Sequence, residues 1–145
     1  MEYMAQKMDD QITGANLCYI TFVGIHYKDG FEPLDSRTKS GELIDRVIDN
    51  FPCPPFVCGK VNLFPTYNIP KGESADKLID LFVDYYNDSE GLYVLLGKDV
   101  QKRIADKMTY SINVSHPGHC LKPWGPSREE YIEDVTIKIN EYLTK

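Results

Sequence analysis

Leu17-Cys18-Tyr19-Ile20-Thr21-Phe22-Val23-Gly24 is an almost unbroken run of apolar, β-branched and aromatic residues, closed by a glycine. A strand with one wet face alternates apolar and polar side chains. This run does not alternate, which predicts a strand covered on both faces. Burial on both faces calls for a parallel sheet between two helical layers, so the rest of the chain should alternate strands with helices. Val57 to Phe64, Leu92 to Leu96 and the weaker Tyr110 to Val114 supply three more strands.

The intervening segments carry helical periodicity. Ser40 reads as an N-cap before Leu43, Ile44, Val47, Ile48 and Phe51, with Pro52, Pro54 and Pro55 as the stop. Ser74 opens a second helix bearing Leu78, Ile79, Phe82, Val83 and Tyr86, and Gly91 marks its end. Gly97 and Lys98 turn directly into a third helix with Val100 and Ile104. Ser127 and Glu130 have capping-box spacing ahead of Tyr131, Val135, Ile139 and Leu143. The expectation is one α/β domain over 1–145, a four-stranded parallel sheet with helices on both faces. Residues 1–16 are read as an N-terminal helix or tail.

Composition bounds the function. With 145 residues, 42% hydrophobic and 26% charged, the chain can bury one sizeable core and is not of the disordered class. Its apolar runs fall far short of the roughly 20 residues a membrane span needs. Met1 to Asp10 mixes charges of both signs and lacks an apolar signal core, so secretion is not indicated and the cytoplasm is expected. Cys18, Cys53, Cys58 and Cys120 lack the spacing of a zinc knuckle or thioredoxin-like pair, and reduced thiols are expected. The net charge of −6 argues against nucleic-acid binding by bulk electrostatics and leaves a local basic patch as the route.

Ligands of open parallel sheets sit beyond the carboxyl ends of the strands, near the point where strand order reverses. The informative loops therefore follow Gly24, Phe64, Leu96 and Val114. All three histidines of the chain, His26, His116 and His119, fall there. His119 reads as a solvated surface residue and His26 leans towards a functional role. His116 fits either a hydrogen-bonded turn or a site. Gly97-Lys98 fits either an anion site at a helix start or a tight turn. Neither a G-x-G-x-x-G fingerprint nor a G-x-S-x-G elbow occurs. Zinc on His26, His116 and His119 would rest on a weak H-x-x-H pattern, and no metal is expected.

Five segments in order carry a resemblance: Phe22-Val23-Gly24, Ser40-Gly41-Glu42-Leu43-Ile44-Asp45, Val61-Asn62-Leu63-Phe64-Pro65, Val94-Leu95-Leu96-Gly97-Lys98 and His116-Pro117-Gly118. Their order and rough spacing resemble the uracil-DNA glycosylase superfamily, from Leu17 to the C-terminus. The second segment is most similar to the branch with an S-G-x-L-L-D helix start. The resemblance implies a three-layer α/β/α domain with strand order 2-1-3-4, acting as a monomer on DNA that carries a deaminated base, through a pocket for a flipped-out base.

It also implies roles. Asn62 matches the asparagine that hydrogen-bonds the uracil edge, and His116 the histidine that stabilises charge on the departing base. Leu121, with Lys122 and Trp124, lies where the family carries a stack-filling wedge, and Gly97 and Lys98 lie on the DNA side. Where the family has Asn, Asp or Glu after the glycine, this chain has Ile25 and His26, so His26 or Asp29 becomes the expected base. Phe31 is the candidate for stacking on the base, with Gly24 and Ile25 beside it. His-Pro-Ser is here His116-Pro117-Gly118, and the cysteines lack the spacing for an iron–sulfur cluster, so no cofactor is expected. The alternative is a protein that keeps the pocket and binds a nucleobase, nucleotide or nucleic acid without hydrolysis. Lys60, Lys98, Lys122 and Arg128 on one rim would favour DNA; a rim of Asp and Glu would favour a small ligand.

Overall fold

A computed structural model describes residues 20–26, 28, 30–50, 58–87 and 91–143. Four strands, β1 (Ile20–His26), β2 (Cys58–Phe64), β3 (Leu92–Leu96) and β4 (Ser111–Val114), form one parallel sheet in the order β2-β1-β3-β4. Four α-helices, α1 (Lys39–Asp49), α2 (Gly72–Tyr86), α3 (Lys98–Ile104) and α4 (Arg128–Leu143), and a 3-10 turn over Pro117–Leu121 complete the order. The expected fold class and strand order are those observed. Residues 1–16, like Leu17 to Tyr19, lie outside the described residues.

The missing alternation has a direct cause. In β3, Leu92, Val94 and Leu96 pack under α1 and α4 with Ile20 and Phe22 of β1, while Tyr93 and Leu95 face α2 and α3 with Val23, Val61 and Leu63. Successive side chains of a strand point to opposite faces, so a sheet with two helical layers needs apolar residues at every position. Both cores are closed: Phe22, Val23, Ile44, Val47, Phe82, Val94, Leu95 and Ile139 have no exposed surface.

Two helix starts differ from expectation. Thr38, not Ser40, caps α1: its Oγ1 accepts from the Gly41 N–H (3.0 Å) and donates to the Asp35 carbonyl (2.7 Å). A hydroxyl that satisfies both the helix and the preceding loop outcompetes one two residues later. The second helix starts at Gly72, two residues before Ser74, after Lys71 with no side-chain cap. The capping signal at α4 holds in its first half, with Glu130 N donating to Ser127 Oγ at 3.2 Å. Strand β1 runs past Gly24 to His26, which pairs opposite Phe64. Tyr110 precedes β4, although its carbonyl still accepts from Tyr93 N at 2.9 Å. Among the described residues, no helix is long and apolar enough to cross a membrane.

Candidate functional site

The strand order reverses between β1 and β3, and two adjoining clefts lie at the carboxyl ends there. The first, about 210 Å³, is lined by Gly24, Ile25 and His26 of β1, Asn62 of β2, Phe31 and His116, with Lys28, Glu32, Leu34, Asp35, Thr38 and Ser40 on its walls. The second, about 410 Å³, is lined by Leu96, Gly97, Lys98 and Asp99, by Gly118, His119 and Lys122, and again by Ile25 and His116. The expected base-contacting residues thus share one cleft, Gly97, Lys98 and Lys122 share the other, and His116 borders both. Asp29 lies outside the described residues, as does the side chain of Leu121.

Asn62 is a buried polar residue two residues before the carboxyl end of β2. It stands opposite Gly24 in the sheet register, and a Cβ on Gly24 would sit 2.6 Å from Asn62 Oδ1. Any side chain at position 24 would displace the amide, so this glycine sets where Asn62 lies.

His116 is held from several directions. The Gly118 N–H donates to its Nδ1 at 2.9 Å. A backbone N–H can only donate, so Nδ1 is the acceptor and the neutral ring carries its proton on Nε2. Burial holds its pKa below the ordinary histidine value; the nearby His119 adds to that, and Asp99 opposes it. The backbone just before it is tied down as well. Val114 O accepts from Gly97 N (3.0 Å) and from Gln101 Nε2 (2.7 Å), and Ser115 O accepts from Tyr131 Oη (2.6 Å). Burial raises the Tyr131 pKa, which keeps that hydroxyl a donor. What results is a neutral imidazole whose Nε2–H has no hydrogen-bond partner among the described residues and can donate to an acceptor in the cleft.

The loop facing His116 is built around Asp35 and Lys60. Asp35 accepts from Arg37 Nε and Nη2 (3.0 and 2.8 Å) and from the N–H groups of Glu32 and Arg37, which hold its carboxyl well below the usual carboxylate range. Arg37 also donates to Gly30 O (2.8 Å), and both Arg37 and Lys28 lie over the Phe31 ring, 4.9 and 5.4 Å from its centroid. Lys60 reaches from β2 to the Leu34 carbonyl (2.9 Å) and to Asp45 of α1. Leu34 has φ +48, a left-handed conformation unusual for leucine. Gly41 fits beneath this loop because a Cβ there would come within 1.9 Å of Asp35 O.

The rim charge divides. Lys60 is spent inside the loop and Arg128 lines neither cleft, whereas Lys98 and Lys122 line the second and Lys28 the first. Acids are present too: Asp35 pairs with Arg37 and Asp99 with Lys102 (3.4 Å) and Arg103 (3.5 Å), while Glu32 lines the first cleft without a salt bridge among the described residues. Lys28, Lys98 and Lys122 form no salt bridge among the described residues. Lys28, Lys98 and Lys122 are thus balanced by Glu32, Asp35 and Asp99, so the lining of the two clefts is neutral in sum although the whole chain carries −6, with the lysines in excess only in the second cleft.

Gln101, Lys28 and the Tyr131 hydroxyl were not singled out from the sequence. Tyr131 reads there as part of an apolar stripe. Among the described residues no group of three His, Cys, Asp or Glu side chains is placed to hold a metal. Cys120 forms no disulfide among the described residues. No protein-family model and no curated protein sequence matches the chain.

Proposed function

We propose that this protein hydrolyses the N-glycosidic bond of a uracil or other deaminated base turned out of DNA into the first cleft. The observation that carries the reading is the meeting of Asn62, His26 and a neutral His116, from three strand ends, around one base-sized space. Asn62 offers an amide donor and acceptor to the base edge. His116 donates its Nε2–H to the base oxygen on which negative charge grows as the bond between base nitrogen and sugar carbon breaks. Water supplies the new bond to the sugar carbon, and His26 accepts its proton.

The test is cleavage of single- and double-stranded oligonucleotides containing uracil, hypoxanthine or xanthine. His116→Ala should lower the rate about 10²–10³-fold, and His26→Ala about 10²–10⁴-fold. Folded protein that yields no abasic product on any of them would sink the hydrolytic reading for those bases.

A second reading has its own support. Ile25 borders both clefts, and an isoleucine cannot orient a hydrolytic water. In this reading the protein binds a nucleobase, nucleotide or nucleic acid and leaves the bond intact. Thermal stabilisation by nucleotides without any turnover would favour it.

A further inference from the structure

Trp124 is the only tryptophan in the chain and, at 81%, the most exposed large apolar side chain among the described residues. It does not sit on a loose tip. Lys122 N donates to His119 O (3.3 Å) and Gly125 N to Lys122 O (3.0 Å). A Cβ on Gly125 would lie 1.8 Å from His119 O, so the backbone folds back tightly on itself and only glycine fits. The result is a firm knuckle that presents the indole to water, with Lys122 Nζ 5.6 Å from its centroid. Lys122 in turn lines the second cleft with Lys98.

An exposed flat ring beside an ammonium matches a nucleotide: the base stacks on the ring and the phosphate meets the charge. A duplex hides its base faces, while a single strand offers them. We propose that Trp124 is a stacking platform for an unpaired base of single-stranded nucleic acid, whose phosphates pass Lys122 and Lys98 on the way to the first cleft. This rests on the nucleic-acid reading above and adds the form of the substrate. An aliphatic wedge works by entering a duplex; a platform favours the strand that is already open.

Because there is one tryptophan, its fluorescence reports the contact without any turnover. Oligothymidylate and oligouridylate, titrated separately, distinguish DNA from RNA, and quenching by either supports the platform. The same strand in a duplex and a base-free abasic oligomer should quench little and bind about tenfold more weakly or worse. By the anisotropy of a labelled strand, Trp124→Ala should lose about tenfold in single-strand affinity, and Trp124→Phe should recover part of it. Equal quenching by duplex, by abasic oligomer and by single strand would overturn the proposal, as would wild-type affinity in Trp124→Ala or no binding at all. Quenching that persists where no uracil strand is cleaved supports the platform and removes the hydrolytic reading alone. Cleavage with no preference for single strands overturns the platform alone.

Discussion

Gly97→Ala is the most informative single change. Gly97 has φ +89 and ψ 164, a region that is essentially glycine's own, and forcing alanine there costs about 1–3 kcal/mol. A Cβ would also meet His116 Cβ at 3.1 Å, crowding worth about 1 kcal/mol more. Gly72 is the control: its φ is +61, but nothing lies within 4 Å of a Cβ, so alanine there costs about 1–2 kcal/mol of backbone strain only. The gain from a stiffer unfolded chain is common to both and cancels. With a urea slope of about 2 kcal/mol per M, Gly97→Ala should lower the unfolding midpoint by about 1–2 M and Gly72→Ala by about 0.5–1 M. Since the crowded atom is the β-carbon, His116→Ala should not relieve the strain. Only Gly97→Ala should reduce ligand affinity or turnover, because only it pushes on the imidazole. Equal midpoints for the two variants, or Gly97→Ala without effect on the site, would refute the reasoning.

Three further outcomes are expected. Gly41→Ala should destabilise by about 3 kcal/mol, read by urea unfolding, because the crowding atoms are the Asp35 and Leu34 carbonyls at 1.9 and 2.4 Å and neither is free to swing away. His116 has a lowered pKa when folded, so the unfolded chain binds the extra proton first; stability from this group is present above the unfolded value of about 6.5 and falls with pH through the window below it. His116→Gln should flatten that part of the urea midpoint profile, and an unchanged slope would count against a neutral buried ring. Lys60→Met should cost about 1–3 kcal/mol, since it strands the Leu34 carbonyl and the Asp45 carboxylate, and should speed amide exchange across residues 30–38. Unchanged exchange there would mean that Lys60 does not hold the loop.

Much of this was legible because it depends on residue type at a strand end. The unalternating Leu92 to Leu96 announces two covering layers, and the polar Asn62 stands out in an apolar strand. His116 lies two residues past the end of β4. The rest depends on contacts between distant positions. Thr38 and Ser40 both precede an apolar repeat, and only the position of the Asp35 carbonyl chooses between them. Lys60 looks like a rim cation, yet its partners Leu34 and Asp45 lie 26 and 15 residues away in sequence. The protonation of the His116 ring depends on one N–H two residues on, a detail of the Pro117–Gly118 turn that spacing does not reveal.

The strand order also governs how the protein can be made. Synthesis delivers the central strand β1 first among the described elements, its neighbours β2 and β3 afterwards, and β4 with His116 last of the sheet. A nascent chain that has cleared the ribosome through α3 already carries His26 and Asn62 but lacks the imidazole opposite them. It also lacks α4, whose Tyr131, Ile132, Val135 and Ile139 cover one face of the sheet. Premature termination between Val114 and Arg128 would therefore leave Ile20, Phe22 and Val94 partly bare, an adhesive surface in a crowded cell. The imidazole and the helix that covers the sheet thus arrive together, after β1, β2 and β3 have been made.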